Sequence, residues 1–203
     1  MTDKTECHPK IRQPQLARIM PMHMLPRILF HIFRGRTKSK LGLFDVAKAR
    51  FRVWPTDLDI LVHMNNGKYL SVLDSARIEY TIRSGFWDIF KQQGWYTVVG
   101  AQTISYRKSL DPFQKFSIET RVIGFDERAC YIEQRFLRKG EIYARAYIQA
   151  RILRKSGGTV SMQELGEVGN FDVTAHPIPK ELAAWANAVR LPSTRTPAPS
   201  IWD

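Results

Sequence analysis

A chain of 203 residues with 44% hydrophobic and 25% charged residues has the make-up of an ordinary globular protein, long enough for one self-sufficient core with extensions. Its formal charge of +12 is unevenly spread: residues 1–52 hold twelve Lys and Arg against Asp3, Glu6 and Asp45, a net +9, which leaves +3 for the other 151 residues. A body so near neutrality, with no zinc-finger, helix-turn-helix or aromatic-platform pattern, excludes a dedicated nucleic-acid domain. Cys7 and Cys130 match neither a disulfide framework nor a metal-ligand spacing, and point to a reducing compartment, the cytoplasm.

Residues 1–43 form a basic, partly apolar arm whose central stretch is LARIMPMHMLPRILFHIFRGRTKSK, residues 16–40. Pro21, Pro26 and Arg27 interrupt it, and its apolar runs fall well short of the roughly 20 residues a spanning helix needs. It also starts late and lacks a small-residue cleavage site, unlike a secretory signal. Two expectations remain. The arm could be a peripheral membrane anchor, with Arg34, Arg36, Lys38 and Lys40 near anionic lipid. Alternatively it packs on the protein's own surface or on a second subunit, which is favoured because two prolines spoil a continuous amphipathic helix.

Residues 44–54, FDVAKARFRVW, read as a strand with Val46, Phe51 and Val53 among its apolar positions, ended by Pro55. A helix of about 18 residues starts near Asn66 or Gly67, with Leu70, Leu73, Ala76 and Tyr80 on one face, an Asn65 or Asn66 cap, and a stop at Gly85. Four strands follow at 97–110, 115–125, 128–139 and 141–155, each alternating apolar and polar residues, with turns at Asp111-Pro112, Asp126-Glu127, Lys139-Gly140 and Gly157-Gly158. This spacing leaves little room for other helices before a short one at 180–191 and a Pro/Ser/Thr-rich mobile tail at 192–200. The domain expectation is therefore an arm at 1–43, an α+β domain at 44–172 with one sheet wrapped around one long helix, and a C-terminal piece at 173–203.

Between the first strand and the helix lies DLDILVHMNN, residues 57–66. Capping a helix needs one polar side chain and contributes about 1 kcal/mol. Here Asp59, His63, Asn65 and Asn66 crowd together beside Leu58, Ile60, Leu61 and Val62. Partly burying so many polar groups is unfavourable unless they pair with one another or with a ligand, so the surplus points to a site. The plainer alternatives are a turn carboxylate for Asp59, a loop-holding hydrogen bond for His63, and cap and turn roles for the two asparagines. Asp57, Asp59 and His63 lack further ligands at a known metal spacing, so no metal is expected.

Asp57-Leu58-Asp59, His63-Met64-Asn65-Asn66 and Tyr69 together resemble the motif of the hotdog-fold thioesterases, the 4-hydroxybenzoyl-CoA thioesterase-like superfamily. With Tyr69-Leu70 and the Asp74-Ser75-Ala76-Arg77 turn, residues 44–155 look most like the thioesterase superfamily member six type and its bacterial relatives. The resemblance implies a hotdog fold, a homodimer or dimer of dimers, and hydrolysis of acyl-CoA or another acyl thioester with no cofactor. It also implies Asp59 as general base or nucleophile, with His63, Asn65 and Asn66 as its helpers. The amides near Asn66 and Gly67 would be the oxyanion site, and Gly67, Tyr69, Leu70 and Leu73 the substrate contacts. Arg107, Lys108, Arg135 and Arg138 are candidates to meet CoA phosphates. Leu61 departs from the plant acyl-carrier-protein thioesterases, which have asparagine there. A non-catalytic hotdog dimer that binds acyl chains or lipid at a membrane is the alternative.

Overall fold

The computed structural model describes residues 24–193 and 196–200; the whole arm before Met24, Cys7 included, and parts of the tail lie outside the described residues. The chain runs α1 (Leu25–Thr37), β1 (Ala47–Arg52), a 3-10 turn (Pro55–Asp57), α2 (Asn66–Arg83), α3 (Phe86–Gln93), β2 (Trp95–Tyr106), β3 (Lys115–Phe125), β4 (Cys130–Arg138), β5 (Glu141–Arg154), α4 (Met162–Gly169) and α5 (Lys180–Ala188). All strands pair antiparallel in one five-stranded sheet of order β1-β3-β4-β5-β2.

The alternation of the strands sets the core. Ala49 pairs with Ile118, Phe51 with Phe116, Ile118 with Phe136, Gln134 with Ala146, and Ile132 with Ile148, all on the face that α2 covers. Small residues at Ala47, Ala49, Ala144 and Ala146 leave space for Tyr69, Val72, Leu73, Ala76 and Tyr80 of α2, all of them buried. Buried Gln134 crosses this interface with its groups satisfied: it donates to Leu73 O at 3.1 Å and Thr120 Oγ1 at 2.9 Å, and accepts from Arg77 at 2.7 Å. The other sheet face is covered by α5, where Leu182 and Ala186 pack with Ala129 and Tyr131.

Several elements differ from the expectations. β1 is shorter, and its inward residues are Ala47, Ala49 and Phe51, so Val46 falls on the opposite parity and is exposed. Three helices stand where none was expected. α3 is a short segment between two left-handed glycines, Gly85 and Gly94. α4 starts at a Ser161 side chain that accepts from Glu164 N. The arm's C-terminal half is α1, which tolerates Pro26 because the proline falls in its first turn, where no intrahelical donor is lost.

α1 lies along α2. Gly35 makes the approach possible, since a Cβ there would meet Ile82 at 3.0 Å. The inward side of α1 carries buried Met24 and half-buried Ile28 and Ile32, and beside them an unusual number of charged groups. Arg27 forms a two-pronged pair with Asp57, at 3.1 and 2.6 Å, while His31 and Lys38 both reach Glu79, at 2.6 Å each. Burial pushes the Glu79 carboxyl up, but the hydrogen bonds and charges of His31 and Lys38 outweigh it and hold the group below its ordinary range.

Candidate active site

The segment from Trp54 to Asn66 turns twice before α2 begins. Asp57 closes the first turn: its carboxylate accepts from Trp54 N at 2.9 Å and is fully occupied by Arg27. Leu58 and Met64 then bridge as a miniature antiparallel pair, and Asp59 N donates to His63 O at 3.0 Å. The loop that this closes is tight enough to put Val62 in the left-handed region, at φ 59°. Met64 N donates to Leu110 O and Asn65 N to Asp57 O, each at 2.8 Å, so the hairpin is pinned to the body at its base.

This geometry places Asp59 and His63 opposite each other, just beyond the bridge. His63 Nδ1 stands 3.4 Å from Asp59 Oδ2, with the His63 and Asp59 side chains 33% and 22% exposed. Asp59 Oδ1 also accepts from Leu61 N at 2.9 Å. Of the expected polar cluster, Asp59 and His63 are half-buried and face each other, while Asn65 and Asn66 are exposed. Among the segment's acids and histidine Asp57 is the fully buried one, satisfied by an arginine from the arm, whereas Ile60, Leu61 and Val62 form an exposed apolar tip.

The mouth of α2 is open. Asn65 is the cap, its Oδ1 accepting from Gly67 N at 2.9 Å, and Asn65, Asn66 and Gly67 are all exposed. The cap therefore takes the Gly67 amide, while among the described residues nothing accepts from the Asn66 amide. A helix start with a free amide and a positive dipole end favours a developing negative charge. Tyr106, at the far end of β2, reaches this mouth with its hydroxyl 3.3 Å from Asn66 O. Its place at a strand end, remote in sequence, gives no local signal of this contact.

The remaining expected residues divide by burial. Tyr69 packs on Phe136 and Tyr106, and its hydroxyl accepts from Leu110 N at 3.2 Å; burial pushes that phenol up to about 12. Leu73 is sealed in the core, and Leu70 packs against it. A cleft of about 600 Å³ opens elsewhere, between α2, α3 and the first half of β2. From α2 it is lined by Asp74, Arg77, Ile78 and Thr81, and aromatic walls come from Trp87, Phe90, Trp95 and Tyr96. Thus the helix face that the apolar periodicity selects, with Leu70 and Leu73, packs on the sheet, and the next face borders the cleft. Arg77 sits at this wall bonded to Gln134 and Asp74, and desolvation pulls its guanidinium down to about 10. Asp74-Ser75-Ala76-Arg77, expected as a turn, lies inside α2, with Asp74 and Arg77 at this wall.

Of the basic candidates, Lys108 and Arg107 face Glu141, Arg135 binds the buried Glu133 at 2.7 Å, and Arg138 donates to Tyr143 Oη at 3.2 Å. Among the described residues no cluster of three or more His, Cys, Asp or Glu could hold a metal ion, and no helix is long and apolar enough to cross a membrane.

Comparison with known proteins supplies the lineage. The chain is 28% identical over 173 residues to Protein THEM6 of Drosophila melanogaster, covering 83% of this chain and 87% of that one. It is 39% identical over 99 residues to Protein THEM6 of Xenopus laevis, covering 49% of this chain and 48% of that one. Its fold superposes on that of YbaW, a probable thioesterase from Escherichia coli, with TM-score 0.56 at 22% identity, covering 60% of this chain and 94% of that one. A DHNA-CoA thioesterase from Staphylococcus aureus gives TM-score 0.55 at 15% identity, covering 72% and 96%. The α+β sheet around α2 is thus the hotdog fold, and residues 53–186 match the model of the thioesterase-like superfamily, so the chain belongs to that family of thioester hydrolases.

Proposed function

We propose that this protein hydrolyses an acyl thioester, with acyl-CoA as the substrate class and Asp59 as general base or nucleophile. As a base, Asp59 takes a proton from the water that attacks the carbonyl carbon; the carbonyl oxygen gains negative charge beside the Asn66 amide, and the thiolate leaves. His63, 3.4 Å away, orients the carboxylate or that water. Asn65 holds the helix start in place through its cap. The observation that carries this reading is the solvent-accessible Asp59–His63 pair on the hairpin that leads directly into an open helix N-terminus.

The substrate's acyl group needs a cavity, and the 600 Å³ cleft lies toward the other end of β2 from Tyr106. Pairing β2 with the same strand of a second copy, antiparallel about its middle, brings the α2 mouth of one protomer beside the partner's cleft. A homodimer would therefore complete the site. A cytoplasmic place in lipid metabolism, with peripheral contact to a membrane, fits this substrate class.

A second reading, a non-catalytic dimer that binds acyl chains, is favoured by one contact: Asp59 spends an oxygen on Leu61 N, as an ordinary turn carboxylate does. Purified protein assayed against CoA esters of graded chain length, with a thiol reagent reporting free CoA, separates the two. Turnover that peaks at a particular chain length is expected; acyl-chain binding without turnover on any ester would leave the second reading.

A further inference from the structure

α1 turns several charged groups inward and a stripe of large apolar groups outward. A helix packed on a soluble body ordinarily turns its apolar stripe inward and its charges outward. Here Arg27, His31, Arg34 and Lys38 face the body and engage Asp57 or Glu79. The outward face carries Leu25 (42% exposed), Leu29 (56%), Phe30 (52%) and Phe33 (64%), spaced three and four residues apart. A contiguous exposed stripe of this kind marks a surface that something covers.

Beside the stripe runs a trough of about 650 Å³, with Phe30 and the half-exposed Trp54 among its lining residues. Arg50, Arg52 and Lys115 also line it, and no acidic residue does. Arg27 and Arg34 border it too, but each already faces a carboxylate. Arg50, Arg52 and Lys115 have no ion-pair partner among the described residues. The trough therefore presents uncompensated positive charge directly against an apolar, aromatic-edged stripe.

We propose that the outer face of α1 and the basic trough beside it dock this protein on an anionic bilayer, with Leu29, Phe30 and Phe33 in the acyl boundary and Arg50, Arg52 and Lys115 on lipid phosphates. Charge complementarity selects this occupant. A second copy related by a twofold axis would set the same basic groups against one another. Residues 1–23 add Lys4, Lys10, Arg12 and Arg18 against only Asp3 and Glu6, so they too bring net positive charge. A nucleic acid would match the trough but leave the apolar stripe in water. Only a surface that is apolar inside and anionic at its boundary satisfies both halves, and aromatic side chains such as Trp54 suit that boundary. The inference is independent of the proposed hydrolysis. Trp54 and Thr56 nevertheless lead straight into Asp57 and Asp59, so the docked surface adjoins the candidate site.

The test is co-sedimentation of the full chain with vesicles of phosphatidylcholine alone or with phosphatidylserine added, alongside Leu29→Ser/Phe33→Ser, Arg50→Gln/Arg52→Gln and, as a control, Leu191→Ser, which replaces an apolar side chain 84% exposed outside both α1 and the trough. Each variant's melting curve guards against misfolding. The full chain is expected to sediment with phosphatidylserine vesicles far more than with phosphatidylcholine alone. Each α1 or trough pair should lose about tenfold in partition, and Leu191→Ser none. Absent sedimentation, equal partition of the variants, loss of self-association without lipid in the α1 pair, or equal affinity for a single-stranded oligonucleotide would each overturn the proposal.

Discussion

Two carboxylates two residues apart meet opposite fates, and the difference is what they face. Asp57 turns inward to a guanidinium from the arm and a backbone amide, so both its oxygens are used. Asp59 turns outward, shares one oxygen with its own turn, and meets an imidazole at the surface. Removing one member of a buried pair strands the other, at a cost of about 3–5 kcal/mol. Arg27→Met should therefore lower the unfolding free energy by about 3 kcal/mol in urea titrations, leaving Asp57 with only the Trp54 amide. A change below about 0.5 kcal/mol would mean that the pair is not an anchor. The sequence marked 57–66 as a site, yet the division of labour was not legible there. It depends on a partner thirty positions upstream, and an Asp-x-Asp string looks alike whichever acid is buried.

At the scale of elements, the tie between α1 and α2 is electrostatic and so depends on pH. Glu79 has a native pKa depressed below its ordinary value of 4.5. Its contribution is then fully present above the unfolded value and is lost as pH falls through the native one. The melting temperature should be insensitive to this group from neutral pH down to about 5 and fall below about 4. Glu79→Gln should flatten that acid limb; an acid limb unchanged in the variant would remove Glu79 from the account. The arm's helix was hard to read because its apolar residues lie on both sides, Met24, Ile28 and Ile32 toward the body and Leu29, Phe30 and Phe33 outward, while charged groups point inward, against what periodicity assumes. The strands at 115–125 and 141–154 were legible because each buries one face throughout and is bounded by turn residues, and the helix at 66–83 because Leu73, Ala76 and Tyr80 recur at helical spacing after an asparagine cap, although it is buried nearly all round.

For the whole molecule, the two edges of the sheet are not alike. β1 guards its edge with Lys48, Arg50 and Arg52, a usual defence against pairing. β2 is twelve residues long, carries no charge, and is exposed along most of its length. An unguarded edge of that length is suited to pairing with its own copy, so Val99→Lys/Gln102→Lys, which sets like charges opposite each other near the middle of the strand, should give monomers in sedimentation velocity. If the site spans two protomers, the same variant should lose at least tenfold in turnover; a fully active monomer would remove the partner from the site.

The central claim is that Asp59, at the open mouth of α2, does chemistry that Asp57 does not. Its most direct measurement is steady-state hydrolysis of the preferred acyl-CoA by Asp59→Asn, with the thermal melt recorded on the same sample. The account predicts kcat lower by about 10²–10⁴-fold with an unchanged melt. Turnover within a few-fold of the parent protein, at an equal melt, would contradict it.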